Sequence, residues 1–232
     1  MGLLDTIVGR VTSAFSGTQT PTSAKFTGSA VDLRAKLRVP DMYLLSNTPS
    51  AGPNNILQKN GGILFPYTPT ISIDNRADYG TSSPLHSNFA FYFFKNASVG
   101  PITVNAKFTV QNEFDGAVLL GVIHLLRSLT KMRWGDEPNA GSPPPICRLD
   151  AYGDFMLSNV PVALTGWRHE LPDSVDYITV GRPGSPTLYG HSMVPSLSTL
   201  SLTFNVMYSR QEMGNYRVDN WLSGDSKGKG YL

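Results

Sequence analysis

The side chains that could do chemistry are few and scattered. The four histidines are His86, His124, His169 and His191. A zinc-hydrolase helix needs two histidines one turn apart with a glutamate between. His169 and Glu170 are adjacent, but no second histidine follows at that spacing. Cys147 is the single cysteine, so neither an intrachain disulfide nor a multi-cysteine metal site is available. It follows three prolines at the start of an apolar run, and reads as a small buried apolar residue, not a nucleophile. Asp173 and Asp176, in PDSVDY, could pair as general acid and base; in a loop between strands, aspartates more commonly form turns. The stretch GDSKGKG (224–230) has no helix after it, and no glycine-rich loop joins a strand to a helix, so a phosphate cradle is not expected. No catalytic residue, metal ligand or cofactor-binding residue is assigned. The chain is expected to be non-enzymatic and to carry no cofactor.

Two modification signals remain. Asn96-Ala97-Ser98 is a formal glycosylation sequon, expected to be idle because the N-terminus lacks a basic region and a cleavage site. MGLLDT fits the short myristoylation pattern, with Gly2 and Thr6 in place. It supports a remote alternative, a membrane-anchored interaction domain.

The elements that would position these residues are mostly strands. Of 232 residues, 41% are hydrophobic and only 16% charged, against about 25% charged in an average soluble chain. Low charge points to surface buried against other chains. The net charge of +2 argues against a nucleic-acid binder that depends on counterion release. No apolar run reaches the roughly 20 residues of a membrane span, and no membrane partner is expected. Val31, Leu33, Ala35, Leu37 and Val39 alternate with polar residues, as do Ile102, Val104, Ala106, Phe108 and Val110, and Leu200, Leu202, Phe204, Val206 and Tyr208. ILFPYTPTISI (63–73) carries Pro66 and Pro69, which suit an edge or bent strand. Phe89–Lys95 is an aromatic strand. Further strands are expected at 147–157 and 162–171 with a turn at Asn159–Pro161.

Residues 113–134, EFDGAVLLGVIHLLRSLTKMRW, form the one strong helical pattern. Its apolar residues cover most of the circumference, more than one sheet can bury. A second, amphipathic helix is expected over residues 1–17, with Leu3, Leu4, Ile7, Val8, Val11 and Phe15 on one face suited to docking in a groove. Residues 18–30 read as a linker, 31–210 as the main domain and 211–232 as a flexible tail. The order of strands, one helix, then strands fits a mainly β, antiparallel α+β or sandwich domain.

Long collinear strings carry a resemblance. NGGILFPYTPTISI (60–73), HSNFAFYFFKNASV (86–99), AKFTVQNEFDGAVLLGVIHLLRSLTKMRWG (106–135), SPPPICRLDAYGDFMLSNVPVALTGWRHELPDSVDYI (142–178) and VPSLSTLSLTFNVMYSR (194–210) resemble segments of tail proteins from contractile-tailed bacteriophages, in the tail-tube and baseplate tube-initiator family. The resemblance implies an antiparallel β-sandwich of the tail-tube type with one flanking helix, assembled as a homo-hexameric ring around a DNA channel in the virion. Implied partners are further copies of the chain, other baseplate, hub, tube or sheath proteins, and DNA in transit. The N-terminal amphipathic helix favours a tube initiator at the baseplate junction; a repeating tube protein and a baseplate wedge or adaptor are the alternatives. Val118, Val122, Leu125, Leu126 and Leu129 of the helix, with Phe91 and Phe93, would meet neighbouring subunits. His124, Arg127, Ser128 and Lys131 would form its polar stripe. The polar faces with Thr103, Asn105 and Thr109, and with Ser201, Thr203 and Asn205, are candidates for the lumen, with Lys107 as a misfit.

Overall fold

The computed structural model describes residues 33–40, 55–136, 139–181 and 192–232. The expected docking helix with Leu3, Leu4, Ile7, Val8, Val11 and Phe15, and the linker after it, lie outside the described residues.

The protein is mainly β, and every strand pair among the described residues is antiparallel. β1 (Lys36–Arg38) is followed by a short helix α1 (Asn55–Asn60), then β2 (Gly62–Leu64), β3 (Thr70–Ser72), β4 (Asn75–Ser82), β5 (Phe91–Val99) and β6 (Ile102–Thr109). The long helix α2 (Glu113–Leu129) comes next. After it run β7 (Ile146–Ala151), β8 (Leu157–Glu170), β9 (Tyr177–Val180), β10 (Ser192–Pro195) and β11 (Leu197–Val206), then two short helices, α3 (Arg210–Asn215) and α4 (Val218–Ser223). The main sheet has seven strands in the order β2-β1-β7-β8-β11-β6-β3.

β2 and β3 are the two edges of that sheet, yet residues 65–69 alone join them. A fully extended link of that length spans at most about 21 Å. Seven flat strands would hold their edges about 29 Å apart. The sheet therefore curls until its edges approach. Pro66 and Pro69 lie in this connection, where no ladder bond is lost. Phe65 turns inward onto Phe108, with ring centroids 6.2 Å apart, and Tyr67 meets the Thr109 hydroxyl at 3.0 Å.

Alternation decides which face of the sheet is dry. Ile102, Val104, Ala106 and Phe108 are buried, as are Leu200, Leu202 and Phe204 on the neighbouring β11, and Leu37 and Leu149 on β1 and β7. α2 lies on this face. Asn112 caps its start by accepting a hydrogen bond from the Asp115 amide at 2.9 Å. The helix ends at Leu129, short of the expected Trp134. The Thr130 hydroxyl donates back to the Arg127 carbonyl at 3.1 Å, and the Arg133 carbonyl accepts from the Gly141 amide at 2.8 Å, which draws residues after 130 into a loop.

What covers the rest of this apolar helix is the chain itself. β9 and β10 form a separate two-stranded sheet whose β9 packs on α2. Gly116 makes this approach possible: a methyl group there would collide with Val180. The Gly181 amide donates to the Glu113 carboxylate at 3.1 Å, and α1 packs on α2 as well. Val122, Leu125, Leu126 and Leu129, expected at subunit contacts, are consequently no more than 2% exposed within one chain. This corrects the expectation that a neighbour must bury them. Val118 is half-buried, and His124, Arg127, Ser128 and Lys131 are exposed.

Two further expectations change. The turn between β7 and β8 falls at 152–156, where Tyr152 and Gly153 have φ of 60° and 90°, and Asn159–Pro161 belong to β8. Asp150 holds that start of β8 in place by accepting from the Asn159 amide at 2.8 Å. The tail is ordered, not flexible. Ser209 and Glu212 form a reciprocal capping box at the start of α3. Tyr231 packs tilted against Tyr208 and edge-on against Tyr216, and Lys227 pairs with Asp154 at 3.0 Å.

Candidate functional site

The side chains with chemical potential stay apart. His86 sits in the connection between β4 and β5, His124 on the outer stripe of α2 and His169 on β8; His191 lies outside the described residues. Asp173 and Asp176 are exposed in the loop between β8 and β9, which closes through the Tyr177 hydroxyl donating to the Pro172 carbonyl at 2.8 Å. Asn96 is on β5, across from Asp78. No group of three His, Cys, Asp or Glu side chains fit to hold a metal occurs among the described residues.

Cys147 is buried on β7, and burial raises its thiol pKa to about 12. The thiolate is the reactive form, so this sulfur is inert in the folded chain. A thiol-alkylating reagent at pH 8 is expected to leave the native protein unlabelled and to label it once in urea. Rapid native labelling would contradict the burial.

His169 faces the dry side of the sheet beside Leu200, its cross-strand partner. Its Nε2 atom is buried without a hydrogen-bond partner among the described residues. Burial first, and the Arg127 charge second, lower its pKa from the ordinary 6.5. The unfolded chain thus takes up this proton before the folded one does. The contribution is fully present above pH 6.5, falls as pH drops below that value, and levels off once folded His169 is itself protonated. Melting temperature is expected to fall between pH 7.5 and pH 5, less steeply in His169→Gln. Equal slopes would remove His169 as the cause.

Two surfaces stand out. The first is the outer face of the curled sheet. Pairing puts Thr103 opposite Thr203 and Asn105 opposite Ser201, and adds Thr70 and Ser72 from β3. The two polar strand faces singled out in the sequence therefore make one continuous, nearly uncharged patch. Lys107, opposite Thr199, and Arg168, opposite Ser201, are its cations; Arg168 pairs with Glu170 at 3.4 Å.

The second surface is the ribbon of β4 and β5. Among the described residues these strands pair only with each other. Phe91 and Phe93 lie on one face, with the Phe93 ring over Gly80; Tyr92 and Phe94 lie on the other, where Phe94 meets Tyr79 edge-on at 5.9 Å. All five rings are more than half exposed. Isolated two-stranded ribbons are marginal in water, and rows of exposed rings on both faces are costly. Periodicity in FAFYFFK gave the strand and its aromatic character. That neither face is covered was not visible, because it depends on whether another layer packs on the ribbon, which one segment does not show.

No protein-family model matches the chain, and a search of the curated proteins finds no match. No helix among the described residues is long and apolar enough to cross a membrane.

Proposed function

We propose that this chain is a non-enzymatic structural protein of a contractile phage tail, whose copies join into a hexameric ring at the junction of baseplate and tube, start the tube and surround the DNA channel. The observation that carries this is the β4–β5 ribbon. Its six exposed rings, Tyr79, Phe89, Phe91, Tyr92, Phe93 and Phe94, offer on the order of 800 Å² at about 200 Å² per aromatic side chain. Shared between the two faces, that is about half of what one partner contributes to a standard interface on each side. Apolar surface on both faces suits contacts on two sides, as a subunit in a ring makes, and not a single two-fold contact.

The polar sheet face supports the second half of the reading. A wall past which DNA moves should be wetted and weakly charged, because each cation would hold a phosphate. The Thr, Ser and Asn side chains of β3, β6 and β11 meet that need, with Lys107 and the Glu170-paired Arg168 the exceptions. A mainly β, antiparallel subunit with α2 on the dry side of its main sheet supports this reading. Other baseplate, hub, tube or sheath proteins would meet the remaining surface, and the virion would be its location.

Negative-stain electron microscopy of the concentrated full chain tests this. Closed rings or short tubes with a central hole are expected. A uniform population of monomers or compact dimers would overturn it.

A further inference from the structure

The root of the ribbon lines a cleft of about 400 Å³. Arg76 and Val99 form one wall, and Tyr208, Met213, Tyr216 and Leu232 the other. This second wall is held from behind. Tyr231 rings pack against Tyr208 at 5.7 Å and Tyr216 at 5.4 Å, the Tyr231 hydroxyl donates to the Glu212 carbonyl at 2.7 Å, and the Leu232 amide donates to the Tyr208 hydroxyl at 3.1 Å. The cleft is thus a preformed, largely apolar hole with tyrosines in its wall.

The matching knob is at the other end of the same ribbon. Leu85 and Phe89, in the connection between β4 and β5, are 91% and 81% exposed. No described residue covers them. Eight paired residues separate root from tip, a span of about 27 Å. A paired ribbon of that length does not fold back on itself, so the tip of a chain cannot reach its own cleft.

We propose that the ribbon tip of one copy seats Leu85 and Phe89 in the tyrosine-lined cleft at the ribbon root of the next copy. The occupant is a second copy because one chain carries both an unfilled apolar hole and an uncovered apolar knob, out of reach of each other. The contact is head-to-tail: each copy gives a tip to one neighbour and a cleft to the other. Such a contact propagates until it closes into a ring or continues as a helix. The inference rests on the self-assembly reading above and adds to it which surfaces meet.

The test uses two full-length variants: a tip variant, Leu85→Asp with Phe89→Asp, and a cleft variant, Met213→Arg. All three positions are exposed, so the circular dichroism and melting curve of each variant should match the parent. Each variant alone is expected to stay monomeric in sedimentation velocity at concentrations where the parent assembles. Mixed one to one, they should give a dimer that grows no further, since one intact tip meets one intact cleft. Variants that assemble like the parent would overturn the tip-in-cleft contact and leave ring assembly standing. A parent chain that stays monomeric at every concentration would overturn both. Should a variant misfold, a photo-crosslinking residue at position 85 in the otherwise intact chain carries the test. Crosslinks to residues 208–216 of another copy support the contact; crosslinks elsewhere on the neighbour, or to none, reject it.

Discussion

Leu126→Ala is expected to lower the free energy of unfolding by about 2–5 kcal/mol, the cost of a cavity in a core that relaxes only in part. Leu126 is fully buried on α2, which is enclosed by the dry face of the main sheet, β9 and α1. A domain is held by only about 5–15 kcal/mol, so the loss is a large share of the total. Urea unfolding should show a lower midpoint with an unchanged slope. Assembly of the fraction that remains folded should be unaffected, because no Leu126 surface reaches the outside. A variant with parental stability but no assembly would restore the idea that this side of α2 faces a neighbouring subunit.

That idea was reasonable from the string alone. A helix apolar around most of its circumference must be covered on more than one side. What the string does not show is that β9 and β10 return over the helix after the long excursion through β7 and β8. Nor does it show that Gly116 lets Val180 approach closely enough to close the gap. The strands fared better because alternation is local. Ile102, Val104, Ala106 and Phe108, and Leu200, Leu202 and Phe204, are buried as expected, whereas Val206 and Tyr208 are half-buried and Leu33 of the first alternating run is exposed; the prolines of 63–73 fall between the two sheet edges. Register is a property of two segments at once. The polar patch existed in the sequence as two separate strand faces, and only pairing of Thr103 with Thr203 makes it continuous.

The tail shows the opposite failure, with composition outvoted by a few specific contacts. GDSKGKGYL is rich in glycine and charge, and reads as disordered. Three tyrosines, one capping box and a close approach at Gly230 order it instead. Gly230 has φ of 80°, and a methyl group there would collide with the Asn159 carbonyl. Glycine in that tail was a packing requirement, not a mark of flexibility.

Replacing Phe91 and Phe93 together by threonine is expected to leave the fold intact and abolish assembly. Both rings are more than half exposed on one face of a ribbon that pairs with no third strand among the described residues. Threonine keeps the strand preference of the site, so the ribbon should persist. Surface changes of this kind alter stability by about 0.5 kcal/mol or less, and the urea midpoint should barely move. Aromatic anchors at interfaces are worth about 2 kcal/mol or more each. Losing two of them is roughly 4 kcal/mol, close to a thousandfold rise in the concentration needed for association. The signature is therefore the reverse of that for Leu126→Ala: stability kept, assembly lost. Sedimentation velocity across a concentration series, beside urea unfolding of the same sample, reads both. Assembly at the parental concentration would mean that the Phe91 and Phe93 face is not buried between copies, and the ring reading would lose the observation that carries it. Assembly lost together with stability would mean that the ribbon supports the monomer in a way its exposed rings do not suggest.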